Sequence, residues 1–476
     1  MIEGLVPYPE YRDSGLPWLP KIPASWSVAR NGRLFTQRNK TGHSDLPILE
    51  VSLRSGVRVR DMKDGGRKQV MADRSKYKQA RAGDLAYNTM RMWQGAVGVA
   101  PVDGLVSPAY VVATPVPEVD ASYVARLFRT SEYLREIDTF SRGIVKDRNR
   151  LYWEAFKQIP TPLPPLEEQR GITRFLAHAQ RRVGLLIATK ARSLRFLAEV
   201  RLAIVSDGLT RSSATKSRSA RPALPWLGRI PDHWAVGPLR ARYRVELGKM
   251  LDTKRITGAH LLPYLRNTDV QWDRINTAGL PLMDVAPTER ERYTVKSGDL
   301  LVCEGGEVGR AAIWDGPTSA VGFQKALHRL RPRRPDEEVS RFLYYQLLVA
   351  SKRGVFLADG NENTIAHLTC EKLRRHRFAF PPRPEQAAIV EALDRALRDV
   401  DRATEQIRRE IALVHEFHAR VEMSVVTGAL DVRGATIQLD AVLDTDVSPA
   451  AYDAQATDEQ AEEESDLIGE AERVGS

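Results

Sequence analysis

The near absence of cysteine and of long apolar runs narrows the classes to which this chain of 476 residues can belong. Only Cys303 and Cys370 occur, which excludes a disulfide framework and a cysteine-rich zinc site. No apolar run reaches the length of about 18 residues that a membrane-spanning helix needs. The first residues contain neither the basic nor the apolar segment of a secretion signal. A reducing cytoplasm is therefore the expected location.

Sequence motifs of catalysis are also missing. No Gly-x-x-x-x-Gly-Lys-Ser/Thr segment is present, so no phosphate-cradling loop is expected. The chain lacks Asn-Pro-Pro-Tyr and Asp-Pro-Pro-Tyr, the tetrapeptides with which amino-methyltransferases hold a flipped base. The nine histidines do not cluster at metal-ligand spacings. The acidic run at residues 336–338 is interpreted as a helix N-terminal charge, because it lacks the lysine in frame that a nuclease site needs. No catalytic constellation is therefore predicted.

Positive charge is concentrated in the body of the chain. Residues 434–476, the acidic tail, contain six Asp, six Glu and one basic residue, Arg473, and so carry −11. Because the whole chain carries +10, residues 1–433 carry +21. A folded body this basic attracts a polyanion, most commonly DNA or RNA. The tail itself is poor in aromatic residues and is predicted to be disordered.

Two stretches of the chain repeat the same element. Residues 162–176 and 379–393 match at a constant offset of 217, with Gln169 opposite Gln386. A second similarity relates residues 16–26 to residues 224–234, each ending in tryptophan. A chain of two like halves is expected to have a pseudo-two-fold axis, which suits a two-part and roughly symmetric target.

Each half shows the pattern of a mixed segment of strands and helices. Residues 47–53 and 262–266 read as strands, and Gly83-Asp84 and Gly298-Asp299 each predict a turn into a strand. Residues 123–138 and 339–353 show helical periodicity. The segment 211–221, rich in Ser and Arg, predicts a flexible linker between the halves.

After each Pro-Pro element the apolar pattern becomes a heptad sustained over four to five repeats. This pattern predicts two long helices of roughly 60 Å each, paired with each other within the chain. The alternative is a surface helix on each globular domain. The apolar residues predicted to form inter-helix or subunit contacts are Leu176, Val183, Ile187, Leu194, Leu197, Leu393, Val400, Ile407, Ile411, Val414 and Val421.

Basic and amide residues cluster in the polar connections of both halves. Lys and Arg reach phosphates, whereas Arg, Asn and Gln can read base edges. Any single one of these residues could instead be a solvated surface charge. The prediction of DNA binding therefore rests on their clustering. The residues predicted to bind DNA are Arg54, Arg58, Arg60, Lys63, Arg67, Lys68, Arg91, Lys146, Arg148, Asn149, Lys249, Lys254, Arg255, Arg266, Asn267, Arg310, Lys325, Asn361 and Asn363.

The chain resembles the specificity subunit of type I restriction–modification systems. The likeness is carried by the two tryptophan-ending segments, the paired Gly-Asp-Leu steps, the Leu-Pro-Pro-Leu-Glu-Glu-Gln element and the segment Val-Thr-Gly-Ala-Leu-Asp-Val-Arg at 426–433. It extends over about residues 8–433. The acidic tail departs from the family pattern.

The resemblance implies an α+β fold in which two similar α/β target recognition domains are joined by two long antiparallel coiled-coil helices. The predicted domains are recognition domain 1 (1–161), central helix (162–210), basic linker (211–222), recognition domain 2 (223–380), C-terminal helix (381–433) and acidic tail (434–476).

The resemblance further implies a non-catalytic reader of a bipartite, asymmetric site in double-stranded DNA. Its expected partners are two adenine methyltransferase subunits and the restriction and translocation subunits. S-adenosylmethionine, ATP and magnesium are expected on those partners, with no cofactor and no metal on this chain. Two alternatives remain open: a methyltransferase or nuclease with a degenerate site, and a coiled-coil scaffold with incidental basicity.

Overall fold

The structure is a computed structural model that describes residues 5–43, 45–53, 55–60, 74–143, 149–210, 220–251, 258–316, 320–357 and 367–436, with only the backbone of 220–223. The chain divides into two compact units. Unit 1 comprises Met1–Lys190 with Arg409–Ser476, and unit 2 comprises Ala191–Arg408. Most of the predicted basic linker, and the predicted disorder of the acidic tail beyond residue 436, lie outside the described residues.

Unit 1 is built from short strands and helices followed by the first long helix. Its strands are β1 (Tyr11–Leu16), β2 (Leu19–Pro23), β3 (Ser27–Arg30), β4 (Phe35–Arg38), β5 (Leu49–Ser52), β6 (Gly56–Val59), β7 (Lys78–Ala80), β8 (Leu85–Asn88), β9 (Val97–Val99), β10 (Gly104–Val106), β11 (Tyr110–Pro115) and β12 (Pro160–Leu163). Its helices are α1 (Asn31–Leu34), α2 (Ala121–Leu127), α3 (Ser131–Phe140), α4 (Trp153–Phe156) and the first part of α5 (Leu166–Thr210).

The main sheet of unit 1 is antiparallel, in the order β4-β11-β8-β9. Its two central strands are apolar on both faces, since Leu85, Ala86 and Tyr87 of β8 are all fully buried. The turn predicted at Gly83-Asp84 leads directly into β8, which confirms that strand. Separate pairs join β12 to β3 and β1 to β2.

Unit 2 is built in the same way. Its strands are β13 (Ala220–Leu224), β14 (Gly228–Pro231), β15 (Ala235–Pro238), β16 (Tyr243–Leu247), β17 (Leu261–Leu265), β18 (Val270–Gln271), β19 (Arg274–Ile275), β20 (Leu282–Asp284), β21 (Leu300–Cys303), β22 (Ala311–Ile313), β23 (Gly322–Phe323), β24 (Leu327–Pro332) and β25 (Arg377–Phe380). Its helices are α6 (Leu239–Arg242), α7 (Arg290–Tyr293), α8 (Ser340–Lys352), α9 (Cys370–Arg375) and most of α10 (Arg383–Val426).

The strand connections of unit 1 recur in unit 2. An antiparallel sheet in the order β16-β24-β21-β22 corresponds to β4-β11-β8-β9. The pairs β15 with β25 and β13 with β14 correspond to β3 with β12 and β1 with β2. The internal repeat of the sequence is therefore a repeat of topology. The units differ in their remaining strands, which are β5, β6, β7 and β10 in unit 1 and β17 to β20 and β23 in unit 2, where β17 and β23 run parallel.

The two long helices pack against each other antiparallel within each unit. In unit 1, Lys190 of α5 donates to the carboxylate of Glu410 in α10 at 2.5 Å. In unit 2, Arg201 of α5 forms an ion pair with Asp401 of α10. Of the apolar residues predicted to lie between them, Leu176, Ile187, Leu194, Leu393, Ile411 and Val421 are buried, and Val183, Leu197, Val400, Ile407 and Val414 are half-buried.

The predicted helix at 123–138 is wrong as a single helix. The chain forms α2 and α3 instead, separated by a turn at residues 128–130. Thr130 begins α3, because its hydroxyl accepts a hydrogen bond from the Tyr133 N–H. Residue spacing alone did not reveal this cap, because Thr also occurs inside helices.

Helix α10 ends at Val426, seven residues before the end of the predicted segment. Gly428 follows in the left-handed region with a φ of 77°. A Cβ there would lie 2.5 Å from Cδ of Pro23 in β2, so only glycine lets the chain turn this closely against the sheet.

A buried glutamine at the start of each long helix ties it to the body of its unit. In unit 1 the Gln169 carbonyl accepts the Asp120 N–H at 2.8 Å, and its amide donates to the carbonyls of Glu118 and Pro164. Asp120 caps α2, so one side chain links three segments of the unit.

Gln386 repeats this arrangement in unit 2. Its carbonyl accepts the Val339 N–H at 2.9 Å, and its amide donates to the carbonyls of Pro381 and Glu337. Val339 precedes α8, as Asp120 precedes α2. The glutamine that recurs in the repeated sequence element therefore stabilises the fold of each unit.

The glutamate before each glutamine holds the tryptophan of the second repeated segment. Trp26 donates its ring N–H to Glu168 at 2.7 Å, and Trp234 donates to Glu385 at 2.9 Å. Both indoles are almost completely buried. In unit 1 the Tyr8 hydroxyl also donates to Glu168, and burial together with this carboxylate raises the pKa of Tyr8.

Candidate nucleic-acid interface

Nine of the predicted DNA-binding residues lie in the part of the chain that the structure describes. The others fall outside the described residues, so their placement stays a prediction. Those residues are Arg54, Lys63, Arg67, Lys68, Lys146, Arg148, Lys254, Arg255, Asn361 and Asn363.

In unit 1 the fold brings basic residues from separate loops to one tyrosine. Burial raises the pKa of Tyr110, and so does Glu50, whereas the positive charges of Arg91 and Arg60 oppose the increase. Arg91 lies near this ring because it follows β8, which pairs with β11, whereas Arg60 follows β6 of the separate β5–β6 hairpin. We call Glu50, Arg58, Arg60, Arg91 and Tyr110 the Tyr110 cluster.

Two arginines of the Tyr110 cluster, Arg58 and Arg91, are exposed, and Arg60 is half-buried. Arg58 forms an ion pair with Glu50 across the β5–β6 hairpin at 2.5 Å, and its side chain is 47% exposed. Arg91 is exposed at the start of a single helical turn, Met92–Gln94, beside the half-buried Trp93. Ion pairs between exposed side chains are worth at most about 1 kcal/mol, so a phosphate can replace Glu50 at low cost.

Asn149 has an internal role in unit 1. Its amide donates to the carboxylate of Asp138 in α3 at 2.9 Å. DNA contact by Asn149 stays a prediction, and would require this hydrogen bond to be shared or broken.

In unit 2 the predicted residues Lys249 and Lys325 lie side by side. The Lys325 N–H donates to the Lys249 carbonyl at 3.0 Å, and Lys325 is exposed. The Lys249 ammonium forms an ion pair with Glu289 and lies 5.7 Å from the centre of the Tyr293 ring. The hydrogen bond from Lys249 is the main reason why the pKa of Glu289 is lowered. The Lys249 ammonium therefore lies beside an aromatic ring, and the backbone of Lys325 is next to that of Lys249.

Three other predicted residues of unit 2 hold their own loop. Arg266 donates two hydrogen bonds to the buried Asp269, at 2.9 and 2.8 Å. The Asn267 amide donates to the Gly305 carbonyl at 3.1 Å, and Arg310 donates to the Asn267 carbonyl at 3.0 Å. These contacts engage the Arg266 guanidinium, the Asn267 amide N–H and one nitrogen of Arg310, and binding of DNA by the three residues stays a prediction.

Sequence reasoning missed several residues that shape these surfaces. Tyr110, Glu289 and Tyr293 were not singled out, because their relation to the basic residues arises from strand pairing and not from spacing. The pair Arg266 and Asp269 did carry a signal, since residues three apart in a tight turn face each other. An arginine with an acidic residue at that spacing is better interpreted as a loop brace.

Unit 1 also contains a cavity of 770 Å³ with charged and polar walls. Arg126 of α2 spans it, forming an ion pair with Glu422 of α10 at 2.7 Å and a hydrogen bond with Gln180 of α5 at 3.2 Å. His418 also lines the cavity, and burial lowers its pKa. Arg126 thus joins the body of unit 1 to both long helices.

Unit 2 has an ion-pair network in the comparable place. Arg341 of α8 forms ion pairs with Asp273 and with Asp394 of α10, and Arg201 of α5 lies 3.5 Å from Asp273. Asp273 has a φ of 60°, which aspartate tolerates better than most residues, at the tip of the β18–β19 hairpin. The hairpin is thereby fastened to both long helices.

A buried histidine makes the stability of unit 2 dependent on pH. His328 is fully buried in β24, its Nε2 lies 2.6 Å from the Leu368 carbonyl, and burial lowers its pKa from 6.5 to about 4. Above pH 6.5 the His328 side chain is neutral in both the folded and the unfolded state. Between pH 6.5 and 4 only the unfolded state takes up the proton, so folding should lose up to about 3 kcal/mol.

Urea unfolding of the parent and of His328→Gln at pH 7 and pH 4.5 measures this effect. Glutamine can still donate to the Leu368 carbonyl but does not titrate, so the parent should lose more stability than the variant. Equal losses in the two proteins would show that His328 does not cause the dependence.

Within the described ranges, no group of three or more His, Cys, Asp or Glu is placed to hold a metal ion. None of the helices in those ranges is both long and apolar enough to cross a bilayer.

Comparison with known proteins finds a family model that matches part of unit 2 and the start of unit 1's share of α10. Residues 244–413 match the model of the type I restriction modification DNA specificity domain. A protein of Haemophilus influenzae named as a type I restriction enzyme specificity subunit is 25% identical over 256 residues. The match covers 52% of this chain and 59% of that relative, so the chain spans about three-fifths of the length of the curated protein it matches.

One solved structure agrees at the level of the fold. A chain from a study of complex assembly and conformational transition of the type I R-M system has a TM-score of 0.55 at 16% identity, covering 85% of this chain and 98% of its own. The HsdS subunit from Thermoanaerobacter tengcongensis has a TM-score of 0.39 at 17% identity, covering 86% of this chain and 97% of its own.

Proposed function

We propose that the chain is a specificity subunit of the type I restriction–modification kind, because residues 244–413 match that domain model, and that it selects a bipartite DNA site for such a complex. Each unit reads one half of the site, and the two long helices, as an antiparallel coiled coil, fix the separation of the halves. The chain itself carries out no chemistry. It binds DNA and positions the subunits that do.

One observation carries this proposal: the same sheet order and the same glutamine anchor occur in both units. A duplicated body with different surface loops suits a target whose halves differ in sequence. The basic residues of the loops differ between the units, whereas the buried anchors are alike. Two units that share one architecture but recognise different DNA sequences need different surface loops and the same buried core.

Exposed and half-buried cations of each unit would set the register on the duplex. Arg58, Arg60 and Arg91 of the Tyr110 cluster and the pair Lys249 and Lys325 have side chains that reach phosphates. Base selection would come from the loops that carry the remaining predicted residues. Arg60 and Arg91 lie near Tyr110, and Lys249 lies beside the ring of Tyr293.

The partners proposed from the family are two adenine methyltransferase subunits and the restriction and translocation subunits. S-adenosylmethionine, ATP and magnesium would bind to those subunits. The long helices offer exposed apolar side chains for docking, among them Leu185 and Leu186 of α5 and Leu413 and Phe417 of α10, all in unit 1.

Exchange of residues 1–161 for those of a related specificity subunit tests the proposal. The reconstituted complex should methylate a site in which one half is new and the other is unchanged, because each unit reads independently. Sequencing of methylated adenines gives the result directly.

The matched control exchanges residues 223–380 in the same complex. It should change the opposite half and leave the first intact. If either exchange altered both halves together, independent reading by the two units would be wrong.

A further inference from the structure

The outer face of the first long helix in unit 1 is strongly basic. From Gln169 to Ala198 the sequence of α5 contains no acidic residue. In unit 1 this stretch exposes Arg170, Arg174, Arg181 and Arg182, and we call these four the α5 basic face. Since Leu176 and Ile187 are buried on the side toward α10, the arginines project away from the helix pair.

Two residues of this face have no counter-charge in the part of the chain that the structure describes. Among the described residues, Arg181 and Arg182 form no ion pair with a carboxylate, whereas Arg170 pairs with Glu167 at 2.7 Å. Their positive charges affect a neighbouring side chain, because the pKa of His178 is lowered by burial and further by Arg181 and Arg182. A positive surface of this kind favours an anionic ligand.

The acidic tail leaves the described part of the chain beside this face. Ala435 is buried in the core of unit 1, and Thr436 packs on the first turns of α5, where a Cβ on Gly171 would lie 3.7 Å from its hydroxyl oxygen. From Gly171 to Arg182 the helix rises about 16 Å. An extended chain covers that distance in about five residues. The first acidic residues after Thr436 are Asp440, Asp444 and Asp446.

We propose that the acidic tail of this chain occupies the α5 basic face and shields it from other anions. The tail brings −11 to a surface of four arginines, and its attachment beside Gly171 keeps its local concentration high without any binding step between molecules. Its densest acidic stretch, residues 458–466, lies far enough along the chain to reach the whole face. Free DNA has no such tether and competes at a disadvantage.

Disulfide trapping in the full chain tests this arrangement. Gly184→Cys places a thiol on α5 next to Arg182, where a Cβ meets only open space, and Ser465→Cys places one in the acidic stretch. Mild oxidation at low salt should join the two introduced thiols, and mass spectrometry of the digested chain identifies the cross-linked peptide. In 1 M salt, where the screening length is about 3 Å, the yield should fall several-fold.

A charge reversal distinguishes attraction from mere tethering. Arg174→Glu with Arg181→Glu and Arg182→Glu should reduce the yield as strongly as salt does. The matched control, Arg395→Glu with Arg398→Glu and Arg402→Glu on the exposed side of α10, should leave it unchanged. A yield that neither salt nor the α5 reversal alters would overturn the proposal.

Either the tail or DNA could occupy the α5 basic face. The affinity of the chain for a DNA duplex that lacks a recognition site distinguishes these two occupants. A chain ending at Thr436 should bind this duplex about tenfold more tightly than the full chain at low salt. The α5 reversal should abolish the difference. If the reversal weakened DNA binding by the full chain while the cross-link persisted, DNA and not the tail would be the ligand of this face.

Discussion

Replacement of Gln386 by leucine should destabilise unit 2 by about 3–5 kcal/mol and leave unit 1 folded. The side chain is 1% exposed and connects Val339, Pro381 and Glu337 through their backbone groups. Leucine fills the volume but leaves a buried N–H and at least one buried carbonyl without a partner. Each of these costs about 1–3 kcal/mol.

Gln169→Leu is the matched variant, because Gln169 has the same hydrogen bonds in unit 1. Hydrogen exchange measured by mass spectrometry assigns protection to each unit separately. Gln386→Leu should increase exchange in β21 and β24, and Gln169→Leu in β8 and β11. Ala387→Leu, at an exposed position beside Gln386, should change little. If Gln386→Leu behaved like Ala387→Leu, the anchor would be unimportant for stability.

Insertion of four residues after Ala188 should abolish sequence-specific methylation by the assembled complex. The insertion rotates the rest of α5 by about 40° and moves it by about 6 Å. Helix α10 keeps its length, so the pairs Lys190–Glu410 and Arg201–Asp401 cannot both keep their register. The apolar contacts between α5 and α10 would then be lost in one of the two units. The recognition domain of that unit would no longer be held on the helix pair.

A compensating pair of insertions makes this test sharper. Seven residues after Ala188 and seven after Ala412 keep the heptad phase in both helices and restore the pairing. Under the proposed function, the gap between the half-sites should grow by about 10 Å, or about three base pairs. Methylome sequencing reads the gap. Recovery of activity with the original spacing would contradict a role of the helices in setting distance.

The sequence was sufficient to predict the elements that depend on local pattern. The strands after Gly83-Asp84 and Gly298-Asp299 and the helix at 339–353 are present, because alternation and helical period are properties of neighbouring residues. The aspartates of those turns have a further role that the pattern did not reveal. Asp84 binds Arg38, and Asp299 binds Arg331 through both carboxylate oxygens.

The candidate interface was less predictable than the fold. Basic composition identified Arg91 and Lys325, which are exposed, together with Arg266 and Arg310, whose guanidinium groups bind within the protein. A positive residue in a loop has the same appearance in both cases. What separates them is an acceptor that strand pairing brings close, such as the Asn267 carbonyl for Arg310.

The division of the chain into units has a consequence for its synthesis. Unit 1 needs Arg409 and the residues after it, since Val421, Val425 and Val432 belong to its core and the Asp431 N–H donates to the Val6 carbonyl at 2.7 Å. Unit 2 is continuous in sequence and can fold as soon as it leaves the ribosome. Synthesis proceeds at about 5–20 residues per second, so residues 1–190 are complete on the order of 10–45 s before the segment that begins at Arg409 is made. A stop codon at position 409 would therefore leave the second unit complete and remove part of the core of the first, although residues 1–190 had all been translated.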